Sequence, residues 1–160
     1  MLTFVPSTLE ATHALIARMN SAQRAELSPA WLARVDSGTA DSWTLGFTMV
    51  LQAGGASIGS CGFKGPATSD GTVEIAYGIT PEHEGKGYAT DAAMWLADYA
   101  FNSGRVHLVR AHTVSKDGAS ARVLVKCGFL CVGQVNEPDE GAVWRWERSK
   151  SEGTVALDTI

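Results

Sequence analysis

A chain of 160 residues, 45% of them hydrophobic, is long enough to bury one sizeable core and short for two. A single domain is therefore expected over residues 1–150, with a tail over 151–160. Thirteen basic against seventeen acidic side chains leave a formal charge of -4, and no block of lysine and arginine could follow a phosphate backbone, so no nucleic-acid partner is expected. The opening residues have no basic stretch and meet Pro6 early, and the densest apolar run, residues 45–51, has the length of a buried strand. These features predict a cytoplasmic protein without membrane contact.

Residues 2–5 read as a first strand. Ser7 or Thr8 is placed to cap a helix running to about Met19, and Pro29 suits the first turn of a short helix over residues 29–35. Residues 43–51 and 57–63 are β-rich runs separated by Gln52-Ala53-Gly54-Gly55-Ala56, the composition of a hairpin turn. In the next strand, residues 72–79, alternation puts Val73, Ile75, Tyr77 and Ile79 on one face and Glu74, Ala76 and Gly78 on the other, a face small enough to admit a ligand.

Beyond Glu84-Gly85-Lys86-Gly87-Tyr88-Ala89, the residues Ala92, Ala93, Leu96, Ala97, Ala100 and Phe101 recur at helical spacing until Asn102-Ser103-Gly104 ends the helix. A strand over residues 107–114 follows, with His107 and His112 on opposite faces, each read as a packed core or edge histidine. Asp117 then caps a helix over 119–126 that Gly128 closes. Strands over 131–135 and 142–147 flank a polar loop, residues 136–141. The order predicts an α/β (α+β) fold. Its crossover from 72–79 to 107–114 should be parallel and right-handed, within a mixed, mostly antiparallel sheet of about six to seven strands flanked by about four helices.

Cys61, Cys127 and Cys131 are odd in number and show neither a CxxC pair nor a histidine at ligand spacing. They predict reduced, mostly buried thiols and no metal site.

The glycine segment leads directly from strand to helix, the setting in which backbone amides receive a phosphate. It is not a P-loop, because Gly87 follows Gly85-Lys86 where a Ser or Thr is required and Thr80 stands at the earlier glycine position. Gly85, Gly87 and Thr90 nearly meet the dinucleotide fingerprint, but the third glycine and the ribose-binding acid are missing. Glu84-Gly85-Lys86-Gly87-Tyr88-Ala89 is closer to the Q/R-x-x-G-x-G/A acyl-CoA signature of the GNAT N-acetyltransferases, with Glu84 in place of Gln or Arg. Asp117-Gly118-Ala119-Ser120 and the following Lys126-Cys127-Gly128-Phe129 resemble the N-x-x-S and KxGF segments of the Rim-type branch of that family, with Asp117 in place of Asn.

The resemblance implies a GNAT-like sheet with a splayed parallel pair, acetyl-CoA as co-substrate, no metal, and a primary amine as acceptor, either a protein N-terminus or a small molecule. It implies that Gly78 and Ile79 pair with the pantetheine arm and that Glu84, Gly85, Lys86, Gly87, Tyr88, Ala89 and Thr90 surround the diphosphate, with Asp117 and Ser120 at the cofactor's other side. In such a reaction the amine attacks the thioester directly. Glu74, the acid on the small face of its strand, is the candidate base, and Ser120 the group that returns a proton to sulfur. The tyrosine that many GNAT proteins place after KxGF is absent between Phe129 and Trp146. An idle acyl-CoA-binding or regulatory module and a nucleotide-dependent oxidoreductase are the competing readings, and the chain is expected to be a monomer or homodimer.

Overall fold

The computed structural model describes residues 1–38, 41–138 and 140–150, so the tail expected over 151–160 lies outside the described residues. Its strands are β1 (Leu2–Pro6), β2 (Phe47–Leu51), β3 (Ser57–Phe63), β4 (Thr72–Ile79), β5 (Leu108–Thr113), β6 (Leu130–Glu137) and β7 (Gly141–Ser149). They form one seven-stranded sheet in the order β1-β2-β3-β4-β5-β7-β6. Each neighbouring pair is antiparallel except β4 with β5, which is the expected parallel crossover.

Six helices accompany it among the described residues: α1 (Leu9–Ala17), α2 (Ser21–Ala25), α3 (Pro29–Asp36), α4 (Ser42–Leu45), α5 (Tyr88–Asn102) and α6 (Ala119–Lys126). Local chemistry starts most of them. Thr8 Oγ1 accepts the Ala11 N–H at 3.0 Å to cap α1, and Ser28 caps α3 with Pro29 in the first turn. α2 is begun by a reciprocal pair in which Asn20 accepts from the Gln23 amide and Gln23 from the Asn20 amide. No residue of α2 is buried, so no apolar period announced it.

The strand expected from Trp43 begins only at Phe47. Asp41 Oδ1 accepts the Trp43 N–H at 3.1 Å and starts the helical turn α4, and Gly46, at φ 73°, redirects the chain into β2. A Cβ at Gly46 would stand 2.7 Å from the Cys61 carbonyl oxygen, so glycine is required there for close approach as well as for its backbone angle.

The core lies between the sheet and α5. Ala92, Ala93, Leu96, Ala97 and Ala100 are fully buried in one cluster with Val73, Ile75 and Val109, and the run of alanines lets the helix sit close on the strands. Aromatic rings close one end: Phe4 stacks on Trp95 at 4.3 Å between centroids, Phe47 meets Trp95 edge-on at 4.7 Å, and Trp43 packs on Phe63 at 4.6 Å. Cys61 and Cys127 are buried, Cys131 is half-buried, and all three are free. No described helix is long and apolar enough to cross a membrane.

The outer strands differ from the inner ones. β1 ends in Pro6. β6 carries a bulge between Cys131 and Gly133, with Gly133 at φ 131°, and exposes Leu130 and Val132.

Two consequences are measurable. A Cβ at Gly59 would stand 2.1 Å from the Gly78 carbonyl oxygen, so Gly59→Ala should force β3 from β4 and lower unfolding stability by about 2–4 kcal/mol in urea titration. Burial pushes the Cys61 thiol from 9.0 up to about 12. A folded value above the unfolded one contributes stability that is complete below pH 9.0 and lost as the pH climbs towards about 12. Across that window the native chain should lose stability more steeply than Cys61→Ala in parallel denaturant titrations.

Candidate active site

β4 and β5 pair over only three positions, Thr72 with Leu108, Val73 with Val109 and Glu74 with Arg110. Beyond them β4 continues to Ile79 and β5 to Thr113. β4 stays paired to β3 as far as Gly59 with Ile79, and β5 to β7 as far as Thr113 with Trp144. The strands therefore remain anchored on their outer sides while their facing edges carry no ladder, and a cavity of about 330 Å³ opens between them.

At the wide end the chain leaves β4 through Thr80 and a single 3₁₀ turn, Pro81–His83, fastened by Thr80 Oγ1 and His83 Nδ1 at 2.7 Å. Gly85 and Gly87 follow at φ 76° and 86°, angles that glycine adopts without strain. Gly87 occupies the N-cap of α5 and offers no side chain to the helix's first amides. A Cβ at Gly78, Gly85 or Gly87 would meet nothing within 4 Å. Uncapped amides beside open glycines fit a diphosphate, and the unladdered edge of β4 fits an amide-bearing arm such as pantetheine. Glu84 and Lys86 are exposed, whereas Tyr88 is half-buried and packs on the core, with Ala89 and Thr90 beside it in the first turn.

α6 begins at the corresponding end of β5, and the expected cap is corrected here. Gly118 stands at the N-cap, and Asp117, one residue too early to reach the helix amides, instead accepts from Ser115 Oγ at 2.9 Å. Its carbonyl accepts from Arg122 Nη1 at 3.0 Å. Ser120 lies in the first turn of α6 and lines the gap.

At the narrow end charged side chains converge. Glu74 Oε2 lies 2.9 Å from His112 Nδ1 and 2.9 Å from Lys64 Nζ, and Lys64 also donates to Glu140. On the other side of the ring, His112 Nε2 lies 3.1 Å from Arg145 Nε and 3.2 Å from Glu137 Oε1. Arginine keeps its protons, so its N–H needs an acceptor, and the Nε2 lone pair provides it. A carboxylate only accepts, so Nδ1 carries a hydrogen and donates it to Glu74. Arg145 Nη2 reaches Glu137 at 2.7 Å, and Arg110 holds Glu147 through Nε and Nη2 at 2.9 and 2.7 Å. Burial opposes the Lys64 charge, but hydrogen bonds and attraction from Glu140 and Glu74 outweigh it and hold the ammonium above its ordinary value. Ligand-type atoms of Glu74, His112 and Glu140 lie within 4.8 Å of one another. The cation that these carboxylates hold is the Lys64 ammonium.

Two further cavities flank the cluster from the α1–α3 side. One of about 740 Å³ is lined by Trp31, Phe63, Lys64 and Glu140, among others. Another, of about 400 Å³, lies over Thr48, Ser60, Gly62, Ala76 and Gly78. Lys64 and Glu140 line both the 740 Å³ cavity and the gap. The structure thus brings Glu74 and Ser120 to one gap and sets Gly78, Ile79 and residues 84–90 at its wide end.

Sequence reasoning missed His112, Lys64, Glu140 and Tyr77. His112, its side chain 1% exposed, reads from the sequence as a packed core or edge histidine; the register that pairs Arg110 with Glu74 puts it, two residues on, on the Glu74 face. Tyr77 lines the gap, and burial pushes its phenol up to about 12, so it stays protonated at neutral pH. Lys64 and Glu140 stand outside any periodic run.

A family model described as an acetyltransferase (GNAT) domain matches residues 2–130. An uncharacterized N-acetyltransferase p20 from Bacillus licheniformis is 30% identical over 91 residues, 57% of this chain and 51% of that protein. A probable N-acetyltransferase, YjcK of Bacillus subtilis, is 38% identical over 58 residues, 36% of this chain and 32% of that one. The matched stretch spans about half the length, or less, of these curated relatives. Among solved structures, a spermidine N-acetyltransferase SpeG chimera from Vibrio cholerae and hSSAT superposes with a TM-score of 0.71 at 19% identity, covering 96% of this chain and 98% of that one. Aminoglycoside acetyltransferase AAC(6')-Ib in complex with ribostamycin and coenzyme A gives 0.66 at 19%, covering 96% of each chain. Ribosomal-protein-S5-alanine acetyltransferase from Vibrio fischeri gives 0.59 at 18%, covering 76% of this chain and 68% of that one. At these identities the likeness is one of fold.

Proposed function

We propose, from the premise that this chain belongs to the acetyltransferase (GNAT) domain family, that it transfers an acetyl group from acetyl-CoA to a primary amine. The observation that carries the reading is the gap between β4 and β5, which narrows to Glu74 and widens towards the glycine-led start of α5. Gly85, Gly87 and Ala89 leave room for the diphosphate on the α5 amides, with Glu84, Lys86, Tyr88 and Thr90 around it. Gly78 and Ile79 offer the free edge of β4 to the pantetheine arm. Ser120 and Asp117 flank the thiol end.

The acceptor amine arrives from the α1–α3 side, past Lys64 and Glu140. Glu74, held by the His112 Nδ1–H, takes its proton; the neutral nitrogen forms a bond to the thioester carbonyl carbon and the carbon–sulfur bond breaks. Ser120 and Tyr77 supply the side-chain hydroxyls lining the gap, and Ser120 is the one assigned to return a proton to sulfur. Glu74, Glu137, Glu140 and Glu147 face Lys64, Arg110 and Arg145 across this cluster. Four carboxylates against three fixed cations favour an acceptor that arrives positively charged. Spermidine and aminoglycoside acetyltransferases share the fold. The ribosomal-protein-S5-alanine acetyltransferase and the N-x-x-S and KxGF likeness keep a Rim-type protein N-terminus in the acceptor set.

The test is free-thiol release from acetyl-CoA with polyamines, aminoglycosides and peptide N-termini. Release above the hydrolytic background is expected with at least one class, and Glu74→Gln should keep coenzyme A binding while turnover falls by about 100-fold. Gly87→Leu should weaken coenzyme A binding by calorimetry. Binding without any amine-dependent release would leave an idle acyl-CoA-binding module, and thermal stabilisation by NADH alone would favour the oxidoreductase.

A further inference from the structure

A primary amine already stands where an acceptor must go. Lys64 Nζ lies 2.9 Å from Glu74 Oε2, is hydrogen-bonded to Glu140, and belongs to a residue that lines both the gap and the 740 Å³ cavity on the acceptor side. The Lys64 amide donates to the Glu74 carbonyl at 2.9 Å, so the backbone as well as the side chain registers this lysine beside that carboxylate. Side-chain exposure is 44% for Lys64 and 21% for Glu74, so neither side chain is sealed in the core and both line the gap. Lys86, Lys116 and Lys126 are all exposed, and none lines the gap.

From this placement we infer that Lys64 is an internal acetyl acceptor: without an outside amine, the chain acetylates its own Lys64 Nζ. The inference rests on the acetyl-transfer reading above. Glu74 takes one proton from the ammonium and passes it to solvent. The freed nitrogen lone pair forms a bond to the thioester carbonyl carbon, the carbon–sulfur bond breaks with its electron pair going to sulfur, and the second nitrogen proton ends on the thiol. The products are an Nε-acetyl-lysine amide, coenzyme A and one released proton, so no oxidant or further reactant is needed. Holding the amine against the base replaces a bimolecular encounter by an intramolecular one, which favours Lys64 over the exposed lysines.

The purified chain, incubated with acetyl-CoA and no added amine, is mapped by peptide mass spectrometry over time. Lys64 should gain a single acetyl group at least about tenfold faster than Lys86, Lys116 or Lys126, at a rate per chain that does not change on dilution. Urea-unfolded chain should lose the selectivity, and Glu74→Gln should lose it while remaining folded by circular dichroism. Labelling of Lys64 at the pace of the exposed lysines, or a rate that grows with chain concentration, would overturn the inference. The same samples are assayed with the amine panel. Thiol release on added amines with Lys64 unmodified removes the internal acceptor and keeps the proposed function, whereas no release and no modification removes both.

Discussion

Parallel pairing between β4 and β5 stops after Glu74 and Arg110, and a sheet that ceases to pair in its interior must give the abandoned amides and carbonyls to water or to another molecule. Both strands remain secured on their outer sides by β3 and β7, so the opening is a fixed wedge and not a frayed edge. Each strand then turns into a helix at the wide end, through the glycines before α5 and through Ser115 to Gly118 before α6. A ligand entering the wedge therefore meets two helix starts, a free strand edge and, at the vertex, the carboxylate of Glu74. The same interruption supplies both the room and the partners.

The two faces of the sheet divide the work. On one, alanines of α5 and the rings of Trp43, Phe47, Trp95 and Tyr99 build the apolar core and its edge. On the other, Thr48, Ser60, Gly62, Ala76 and Gly78 stay small beneath α1 and α3, and farther along the sheet Glu74, Arg110, Arg145 and Glu147 form a charged row with His112 among them. Alternation along a strand makes this possible, because each residue that packs the core has a neighbour turned to the other side. His112 joins the two regions: its ring is buried, yet one nitrogen serves Glu74 and the other receives Arg145.

Elements with a periodic apolar pattern were legible in the sequence. The hairpin around Gly54-Gly55, β4, α5 and the parallel crossover follow from alternation, helical spacing and glycine punctuation, and the glycine segment marks where the chain leaves β4 for α5. Legibility failed where a single local contact outweighed propensity. Trp43 to Leu45 look like strand residues, but the Asp41 side chain starts a turn there, and Asp117 looks like a cap but lies one residue short of the position. Glu74 and Ser120, which line one gap, could be singled out from the sequence because one sits in an alternating strand and the other in a recognisable segment. Lys64, Glu140 and His112 could not be, since their meeting depends on which strands lie side by side, and no spacing along the chain encodes that.

β1 and β6 form the two borders of the sheet. A straight unpaired border presents a regular row of donors and acceptors on which a second chain can dock, and repetition of that event makes fibres. Here one border closes with a proline, which has no amide hydrogen to offer, and the other is broken by the bulge at Gly133. Exposed Leu130 and Val132 would otherwise make that second margin adhesive. Its irregular spacing denies an incoming strand a matching register, and it does so without placing charge at Leu130 or Val132.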